Sequence, residues 1–376
     1  MNETRSTDQM TSGEFTHRRL HHQRIVRPSI DHSSFDHPGQ VVHWMGAMQA
    51  QDYGQALWAV ALRTTAATRT DVEQAITERS IVLTWPMRGT IHFVAATDVR
   101  WMLELCAPRK LAADGLRLKQ LELDFPILGR CKHLFQTALG GGQCLTRSAM
   151  LELLENAGIN PKGQRGYHIL WHLAQSGLIC FGPRQAKDQT FVLLEEWVPN
   201  APIQSRDDSL AELAKRYFTS HGPATVQDFA GWTGLTLRDA RAGLESVQSQ
   251  LVSEVRDRLE YWWAEGPQKA SVVQGSGVHL LPGFDEYILG YKDRRDVMTV
   301  EHAQRIVPGG NGVFLPMIVV DGQVVGTWKR TVKKSGVQVL LEPFLEIDAL
   351  EERVQNAVMR YCAFHGLPLL SQEILK

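Results

Sequence analysis

One pattern recurs along the chain and constrains its fold more than any other feature: short amphipathic helices followed by a pair of short strands. In the first copy, helices are predicted near residues 38–48, 55–63 and 71–79, and strands over 81–85 and 90–94. Later copies have predicted helices near 130–139, 147–157, 164–176, 209–220, 225–231 and 236–249, with predicted strands over 178–181, 191–194, 251–256 and 259–264. The copies define predicted units over residues 15–128, 129–204 and 205–270.

Three helices followed by a hairpin form the winged-helix variant of the helix-turn-helix, in which the third helix and the hairpin usually contact DNA. Because the order recurs in tandem, a chance match is less plausible than for one copy. Tandem winged domains also serve as protein-binding scaffolds, so the pattern leaves both a DNA-binding and a protein-binding function open.

The end of the chain, residues 271–376, is predicted to be a β-rich element. Asp321-Gly322 is a strong signal for a tight hairpin between two of its strands. An amphipathic helix near 347–364 is predicted to close the chain, whereas residues 1–14 are predicted to be flexible. The predicted strands of the element cover residues 314–320, 324–328 and 337–341.

A basic run lies between the last two of these strands, and its cations are Lys329, Arg330, Lys333 and Lys334. We place this run at the second turn of the strand meander. A run of surface charge can simply keep a loop soluble, or it can contact phosphates as part of a DNA-binding face. The sequence leaves both interpretations open.

Composition limits the partners and the compartment. The formal net charge of -1 and the pI near 6.9 exclude a generally polycationic protein, so nucleic-acid binding would need charge concentrated on one surface. The five cysteines are scattered and form no CxxC pair, which is typical of reduced thiols in a cytoplasm. The sequence has neither an apolar run long enough to span a bilayer nor the apolar core of a signal peptide. We therefore expect a soluble cytoplasmic protein that acts as a monomer.

Two glutamines, Gln49 and Gln51, lie at a junction between apolar runs that are predicted to be helices. Residues two apart on a helix point in different directions, whereas in an extended segment they project to the same side. If both amides serve one site, the first helix must therefore end near Gln49. Asp52 is a favourable N-cap for the next helix, which supports a break here. The alternative interpretation is that the two amides only cap the helix ends.

Several common catalytic signatures are absent from the sequence, including GxGxxG after a strand, a Walker loop, HExxH and a GxSxG elbow. The histidines are mostly scattered, and His92 on a predicted strand is interpreted as a core residue rather than a ligand. We therefore expect neither a metal nor a cofactor.

Four phrases in the sequence together resemble one family. They are MQAQD at 48–52, WPMRGTIH at 85–92, LLPGFDEYILG at 280–290 and VVGTW at 324–328. In this order they are similar to the bacterial winged-helix DNA glycosylases, the AlkZ-like and YcaQ-like proteins. The resemblance covers residues from about 18 to 365 and implies an α+β, C-shaped molecule of tandem winged-helix units with a C-terminal β-rich element.

The resemblance also implies an activity, which is hydrolysis of the bond between an alkylated purine and deoxyribose in double-stranded DNA, including purines in interstrand crosslinks. In that family a Gln-x-Gln motif is catalytic, and YcaQ-like members carry Gln-x-Asp instead. The motif here is Gln49-Ala50-Gln51, so Gln49 and Gln51 are the expected catalytic residues. The expected phosphate contacts in a basic channel are Arg88, Arg184, Lys187, Lys329, Arg330, Lys333 and Lys334.

Neutral amides suit such a substrate, because an N7-alkylated guanine is already cationic and leaves without needing a proton. A glutamine carbonyl can then orient water and present partial negative charge to the sugar. Asp52 is the nearest carboxylate in the sequence, whereas Asp285 and Tyr287 lie in one of the four phrases and either shape the channel or support only the fold. The competing hypothesis is a non-catalytic winged-helix regulator that binds DNA.

Tryptophans could stack on a base that leaves the helix, as in base-flipping enzymes. The apolar periodicity around them favours core positions instead. The tryptophans concerned are Trp44, Trp58, Trp85, Trp101 and Trp171.

Overall fold

A computed structural model describes residues 10–26, 35–200, 202–265, 277–347 and 350–375. It is a mixed α+β protein, as predicted. Residues 1–9 of the segment that was expected to be flexible lie outside the described residues, whereas Ser12 already begins the first helix. Thr11 caps that helix reciprocally with Glu14.

The first part of the chain forms four helices and three strands within the described residues. Its predicted hairpin is present, but the helix predicted to reach residue 48 ends at Met45. Gly46 has a φ of 76°, which ends the helix, and the following residues pair with a neighbouring strand. The elements are α1 (Ser12–His22), α2 (Pro38–Met45), β1 (Ala47–Gln49), α3 (Tyr53–Arg63), α4 (Arg69–Thr77), β2 (Ile81–Met87) and β3 (Thr90–Ala95).

In the second part, the helices and the hairpin of the second predicted unit are all observed. Two helices that precede them were not predicted. The first of these is buried around most of its circumference, so it shows no amphipathic stripe in the sequence. The elements are α5 (Val99–Ala112), α6 (Gly115–Gln120), α7 (Phe125–Leu139), β4 (Leu145–Thr146), α8 (Arg147–Asn156), α9 (Arg165–Gln175), β5 (Ile179–Phe181), β6 (Thr190–Leu193) and α10 (Leu194–Trp197).

The hairpins of these two parts join in one six-stranded sheet with the order β1-β3-β2-β5-β6-β4. Leu83 on β2 lies opposite Phe181 on β5, so the two hairpins are hydrogen-bonded neighbours. β1 is an edge strand of this sheet and pairs antiparallel with β3, which places Gln49 opposite His92. The sheet thereby fixes the Gln49 backbone beside the β2–β3 hairpin.

The third part matches its prediction closely. Thr225 and Thr236 cap the second and third helices, and the strands have the predicted bounds. The two strands form a separate sheet. The elements are α11 (Arg206–Ser220), α12 (Val226–Thr233), α13 (Leu237–Val247), β7 (Leu251–Arg256) and β8 (Leu259–Ala264).

The C-terminal part has a five-stranded sheet with the order β13-β12-β11-β10-β9. The basic run is not a loop as predicted, because β11 continues through Lys333 and the turn contains only residues 334 and 335. Main-chain pairing with β12 sustains the strand up to Lys333, opposite Gly336. The elements are β9 (Val278–Leu281), α14 (Glu286–Leu289), α15 (Val300–Ile306), β10 (Met317–Val320), β11 (Gln323–Lys333), β12 (Gly336–Pro343), α16 (Glu351–His365) and β13 (Leu369–Ile374).

Helix α3 and the segment of residues 280–290 are packed together in the core. The Trp58 indole donates to the Leu280 carbonyl at 2.7 Å, and Arg63 forms a buried ion pair with Asp285. Tyr287 donates its hydroxyl hydrogen to the Gly322 carbonyl at 2.7 Å. Asp285 and Tyr287 therefore hold the fold together.

The tryptophans occupy the core as predicted. Trp101 and Trp85 are almost fully buried, and Trp44 is half-buried with its indole donating to the His22 carbonyl. Trp58 and Trp171 are buried as well, with indole donors bonded to main-chain carbonyls. No helix in the described part of the chain combines the length and the apolar composition that a bilayer crossing requires.

Candidate active site

Gln49 is the last residue of β1, and Gln51 follows in a bend before α3. Gln49 is half-buried and Gln51 is exposed, whereas Ala50 between them is buried and donates its amide hydrogen to the Ile91 carbonyl at 2.8 Å. The chain between them is not helical, because α2 ends at Met45 and α3 begins at Tyr53. The break in the helix that a shared site requires is therefore present.

The interpretation of the two glutamines as helix caps is wrong. Gly46 ends α2, and Asp52 is the N-cap of α3. The Asp52 carboxylate accepts from the Gln55 backbone at 3.2 Å and from the Gln55 side chain at 2.8 Å. Asp52 is thus engaged in capping.

Both side-chain carbonyls point to the turn of the β2–β3 hairpin. Gln51 Oε1 accepts from the Ile91 backbone amide, and Gln49 Oε1 accepts from Arg88 Nη2, each at 3.4 Å. Arg88 and Gly89 form this turn with φ values of 55° and 74°, which fits a tight hairpin connection. The hairpin turn therefore brings the two amides to one place.

Arg88 is half-buried in the site, away from the exposed cations. Its Nη1 donates to the Trp232 carbonyl, and its Nη2 contacts His92 Nε2 at 3.1 Å in addition to Gln49. Burial lowers the pKa of Arg88. Since its terminal nitrogens contact protein atoms, the arrangement makes Arg88 a neighbour of the Gln49 amide and gives no support to its expected role as a phosphate contact.

His92 is fully buried, which confirms its interpretation as a core residue. Its Nδ1 lies 2.9 Å from the Thr90 carbonyl, which can only accept a hydrogen bond. Nδ1 therefore carries the proton, and Nε2 is free to accept from Arg88. Burial, with the nearby charge of Arg88, lowers the pKa of His92 to about 3.

Glu286 supplies the carboxylate of the site, and sequence reasoning did not single it out. It is 1% exposed, with Oε1 accepting from the Gln49 backbone amide and Oε2 accepting from the Trp232 indole, both at 2.8 Å. Burial alone would raise the pKa of Glu286, but His221, Arg88 and the Gln49 amide outweigh it and lower the pKa to about 2. An acidic pair between apolar residues, Asp285-Glu286, was the available signal in the sequence.

The β5–β6 loop lies against the start of α3, next to the two glutamines. The Arg184 guanidinium lies 4.6 Å from the centroid of the Tyr53 ring, and Tyr53 directly follows Asp52. Arg184 and Lys187 are both exposed, so their charges face solvent beside the Gln49–Gln51 segment.

The cations of the basic run are on the other sheet, three of them on β11 and Lys334 in the turn that follows it. Lys329 forms an ion pair with Glu342 at 2.6 Å, and Arg330 is half-buried over Trp328, whereas Lys333 and Lys334 are exposed. Within the described ranges, no hydrogen bond or ion pair joins these four cations to Gln49 or Gln51. The same ranges contain no group of three or more His, Cys, Asp or Glu side chains arranged to hold a metal ion.

Comparison with known proteins identifies the family. The family described as DNA glycosylase AlkZ-like matches residues 42–364. An interstrand DNA cross-link repair glycosylase from Streptomyces sahachiroi is 26% identical over 329 residues, which cover 81% of this chain and 85% of that protein. The solved structure of the Streptomyces sahachiroi DNA glycosylase AlkZ superimposes with a TM-score of 0.79 at 22% identity, covering 98% of this chain and 100% of the other.

These matches favour an enzyme over a non-catalytic regulator, and they make DNA the substrate. The fold, the paired amides at the β2–β3 turn and the match across most of the sequence agree with one another. The chain therefore belongs to the AlkZ-like DNA glycosylase family, whose members are hydrolases that cleave N-glycosidic bonds in DNA.

Proposed function

We propose that this chain hydrolyses the N-glycosidic bond of N7-alkylated, cationic purines in duplex DNA, with Gln49 and Gln51 as the catalytic residues. The observation that carries the proposal is the convergence of two neutral amides beside the β2–β3 turn. Such purines also occur in interstrand crosslinks, and the Streptomyces sahachiroi relative is a cross-link repair glycosylase, so we extend the proposal to the release of crosslinked purines.

The chemistry of the substrate explains why amides suffice. Alkylation at N7 places a positive charge on the base, so the base leaves with its bonding electron pair and becomes neutral without an acid. The enzyme must then orient water and stabilise a sugar cation that resembles an oxocarbenium ion. An amide carbonyl can accept a hydrogen bond from that water, and its dipole presents partial negative charge to the anomeric carbon.

The two side chains have capacity for this task. Gln49 Oε1 receives one long hydrogen bond from Arg88, and Gln51 Oε1 receives one from Ile91. A carbonyl oxygen has two lone pairs, so each amide retains one acceptor site for water. Their amino groups remain available to bind a phosphate or sugar oxygen.

DNA contacts are assigned to the exposed cations. Arg184 lies against Tyr53, which follows the catalytic segment, and Lys187 is exposed in the same loop, which supports phosphate contacts by both residues near the lesion. We also propose that the three helix-and-hairpin units act as tandem winged helices around the duplex in a C-shaped molecule, and that the protein works as a monomer in the cytoplasm, where it joins the nucleoid when bound to DNA. Further phosphate contacts are proposed for Lys329, Arg330, Lys333 and Lys334.

The proposal is tested with a duplex that contains one N7-methylguanine, under single-turnover conditions, with alkali to cleave the abasic product. The wild-type protein should release the base, whereas the double variant Gln49→Ala and Gln51→Ala should not, although its affinity for the duplex stays nearly unchanged. A control variant, Gln136→Ala, removes an exposed amide from α7 and should keep the wild-type rate.

Two further substrates sharpen the test. A duplex with uracil, which is a neutral base, should be a poor substrate because amides cannot protonate a leaving group. A duplex crosslinked through the N7 atoms of two purines should be unhooked with the same dependence on both glutamines. Undiminished release by the double alanine variant would refute the assignment of the catalytic residues.

A further inference from the structure

Glu286 is a buried carboxylate behind the catalytic segment, 237 residues from Gln49 in sequence. We propose that Glu286 is a positioning residue for base release, which fixes the Gln49 amide by holding its backbone while Arg88 holds its side chain. This inference rests on the proposed catalytic role of Gln49.

The contacts form a closed ring of four residues. The Gln49 backbone amide donates to Glu286 Oε1, and the Trp232 indole donates to Glu286 Oε2, both at 2.8 Å. The Trp232 carbonyl in turn accepts from Arg88 Nη1, and Arg88 Nη2 donates to Gln49 Oε1. Both ends of Gln49 are therefore attached to the same ring, so the ring restricts its backbone and its side-chain rotamer together.

Burial makes this ring costly unless its charges are matched. An isolated carboxylate with 1% exposure loses most of its hydration, and such a charge is retained only where partners compensate it. Glu286 uses both oxygens for N–H donors, His221 Nε2 lies 3.7 Å from Oε2, and Glu286 also lies in the field of Arg88, whose own charge is removed from water. The formal charges of Arg88 and Glu286 cancel.

The cancellation matters for the reaction. The substrate is cationic, and its sugar gains positive charge in the transition state, so an uncompensated guanidinium beside Gln49 would oppose both. With Glu286 ionised, Arg88 can orient the Gln49 carbonyl without adding a net positive charge to the site. Glu286 therefore supplies geometry and charge balance while Gln49 faces the DNA.

The neighbouring carboxylates have different attachments. Asp285 is bound to Arg63, and Asp52 caps α3. Asp98 offers the best match to Glu286, since it is also 1% exposed and also accepts from a buried indole, that of Trp101 at 3.4 Å. Its other side-chain partners are Thr97, Arg216 and His43, and none of these contacts involves Gln49.

The test compares Glu286→Gln with Asp98→Asn in the single-turnover assay on N7-methylguanine duplex. Glutamine keeps the size of Glu286 but removes its charge. Its amino group also faces one of the two N–H donors, the Gln49 backbone amide or the Trp232 indole, so that hydrogen bond is lost. We expect a loss in release rate of about 10- to 100-fold, the scale of a displaced reacting group, with the affinity for the same duplex unchanged. Asp98→Asn should keep the wild-type rate even where it lowers thermal stability equally.

A double-mutant cycle shows whether Glu286 acts through Gln49. In the Gln49→Ala background, Glu286→Gln should cause a much smaller loss of rate than in the wild type, because the group that it positions is already gone and only the uncompensated charge of Arg88 remains. Independent, multiplicative losses would overturn the inference. Trp232→Phe offers a second route if Glu286→Gln does not fold, since it removes the donor to Oε2 together with part of a buried ring, and it should slow release per folded molecule.

The outcomes separate this inference from the proposed function. If the wild-type protein releases no base, or if Gln49→Ala has no effect, the proposed function fails at its own step. If Gln49→Ala slows release but both Glu286→Gln and Trp232→Phe keep the wild-type rate, only the role of Glu286 is overturned. Equal losses in Glu286→Gln and Asp98→Asn would also overturn it, since they would indicate a general effect on the fold.

Discussion

Asp285 and Glu286 are adjacent in sequence but are expected to respond very differently to the loss of a charge. Asp285 forms a buried ion pair in which Oδ1 accepts from Arg63 Nη2 at 2.7 Å and Oδ2 accepts from Arg63 Nη1 at 2.9 Å. Both side chains have 0% exposure. The replacement Asp285→Asn therefore leaves the Arg63 guanidinium buried without its counter-charge.

The expected cost follows from these contacts. Removing one partner of a buried ion pair typically costs about 3 to 5 kcal/mol, because the remaining charge stays uncompensated. Asparagine keeps one carbonyl oxygen, which can still accept from the Tyr287 backbone amide, and Arg63 keeps its bonds to Ala59 and Gln23. We therefore expect a loss near the lower end, about 3 kcal/mol, in the free energy of unfolding.

Urea unfolding, followed by tryptophan fluorescence, measures this loss, and the release rate is measured below the transition and expressed per folded molecule. The rate should stay at the wild-type value, because Asp285 contacts α3 and not the catalytic glutamines. Asp293→Asn removes a carboxylate from a solvent-exposed pair with Arg295 and should leave the unfolding midpoint almost unchanged. An unchanged midpoint for Asp285→Asn, or a slower rate at unchanged stability, would refute this reasoning.

Three further outcomes are expected. The single-turnover rate should be constant from about pH 5 to 9, because amides do not titrate and the pKa values of His92 and Glu286, about 3 and about 2, lie below this range. A rate that follows an ionisation within this range would contradict the proposed site. Thermal stability should fall as the pH drops below 6.5, because burial lowers the pKa of His22 to about 4 and that of His92 to about 3, so the unfolded chain binds more protons than the folded chain. Between pH 6.5 and its folded pKa, each histidine makes the free energy of unfolding fall by about 1.4 kcal/mol per pH unit. A midpoint of thermal unfolding that is constant between pH 7 and 5 would exclude this. Arg184→Ala and Lys187→Ala should each reduce the slope of log affinity against log salt by about 0.9, as measured by fluorescence anisotropy, and an unchanged slope would remove that residue from the phosphate contacts.

Local patterns were sufficient for much of the fold. The helix-and-hairpin pattern of residues 205–270 predicts α11 to α13, β7 and β8 within a few residues, and the structure agrees with it. The short strand β1 was not predicted, because it continues an apolar run whose pattern indicates a helix. It forms a strand only by pairing with β3, more than 40 residues later. The extension of β11 through the basic run likewise depends on its partner β12.

In the candidate site, too, some residues could be identified from local sequence, whereas others depend on contacts with distant residues. Gln49 and Gln51 could be found because polar amides between two apolar runs are locally unusual. Glu286 could not be assigned, because no nearby pattern tells which of many carboxylates will reach the Gln49 backbone. Arg88 was expected to contact phosphate, and its hydrogen bond to the Trp232 carbonyl, 144 residues away, could not be predicted from the sequence.

On the ribosome, helix α3 emerges long before the segment that covers it. Arg63 and Asp285 are 222 residues apart, so at a translation rate of about 5 to 20 residues per second, about 10 to 45 s pass between the synthesis of Arg63 and that of Asp285. The same interval separates the synthesis of Trp58 from that of Leu280, whose carbonyl accepts from the Trp58 indole. During that interval the apolar surface of the nascent chain is incomplete, and the Gln49 backbone lacks its Glu286 partner until translation has passed residue 286.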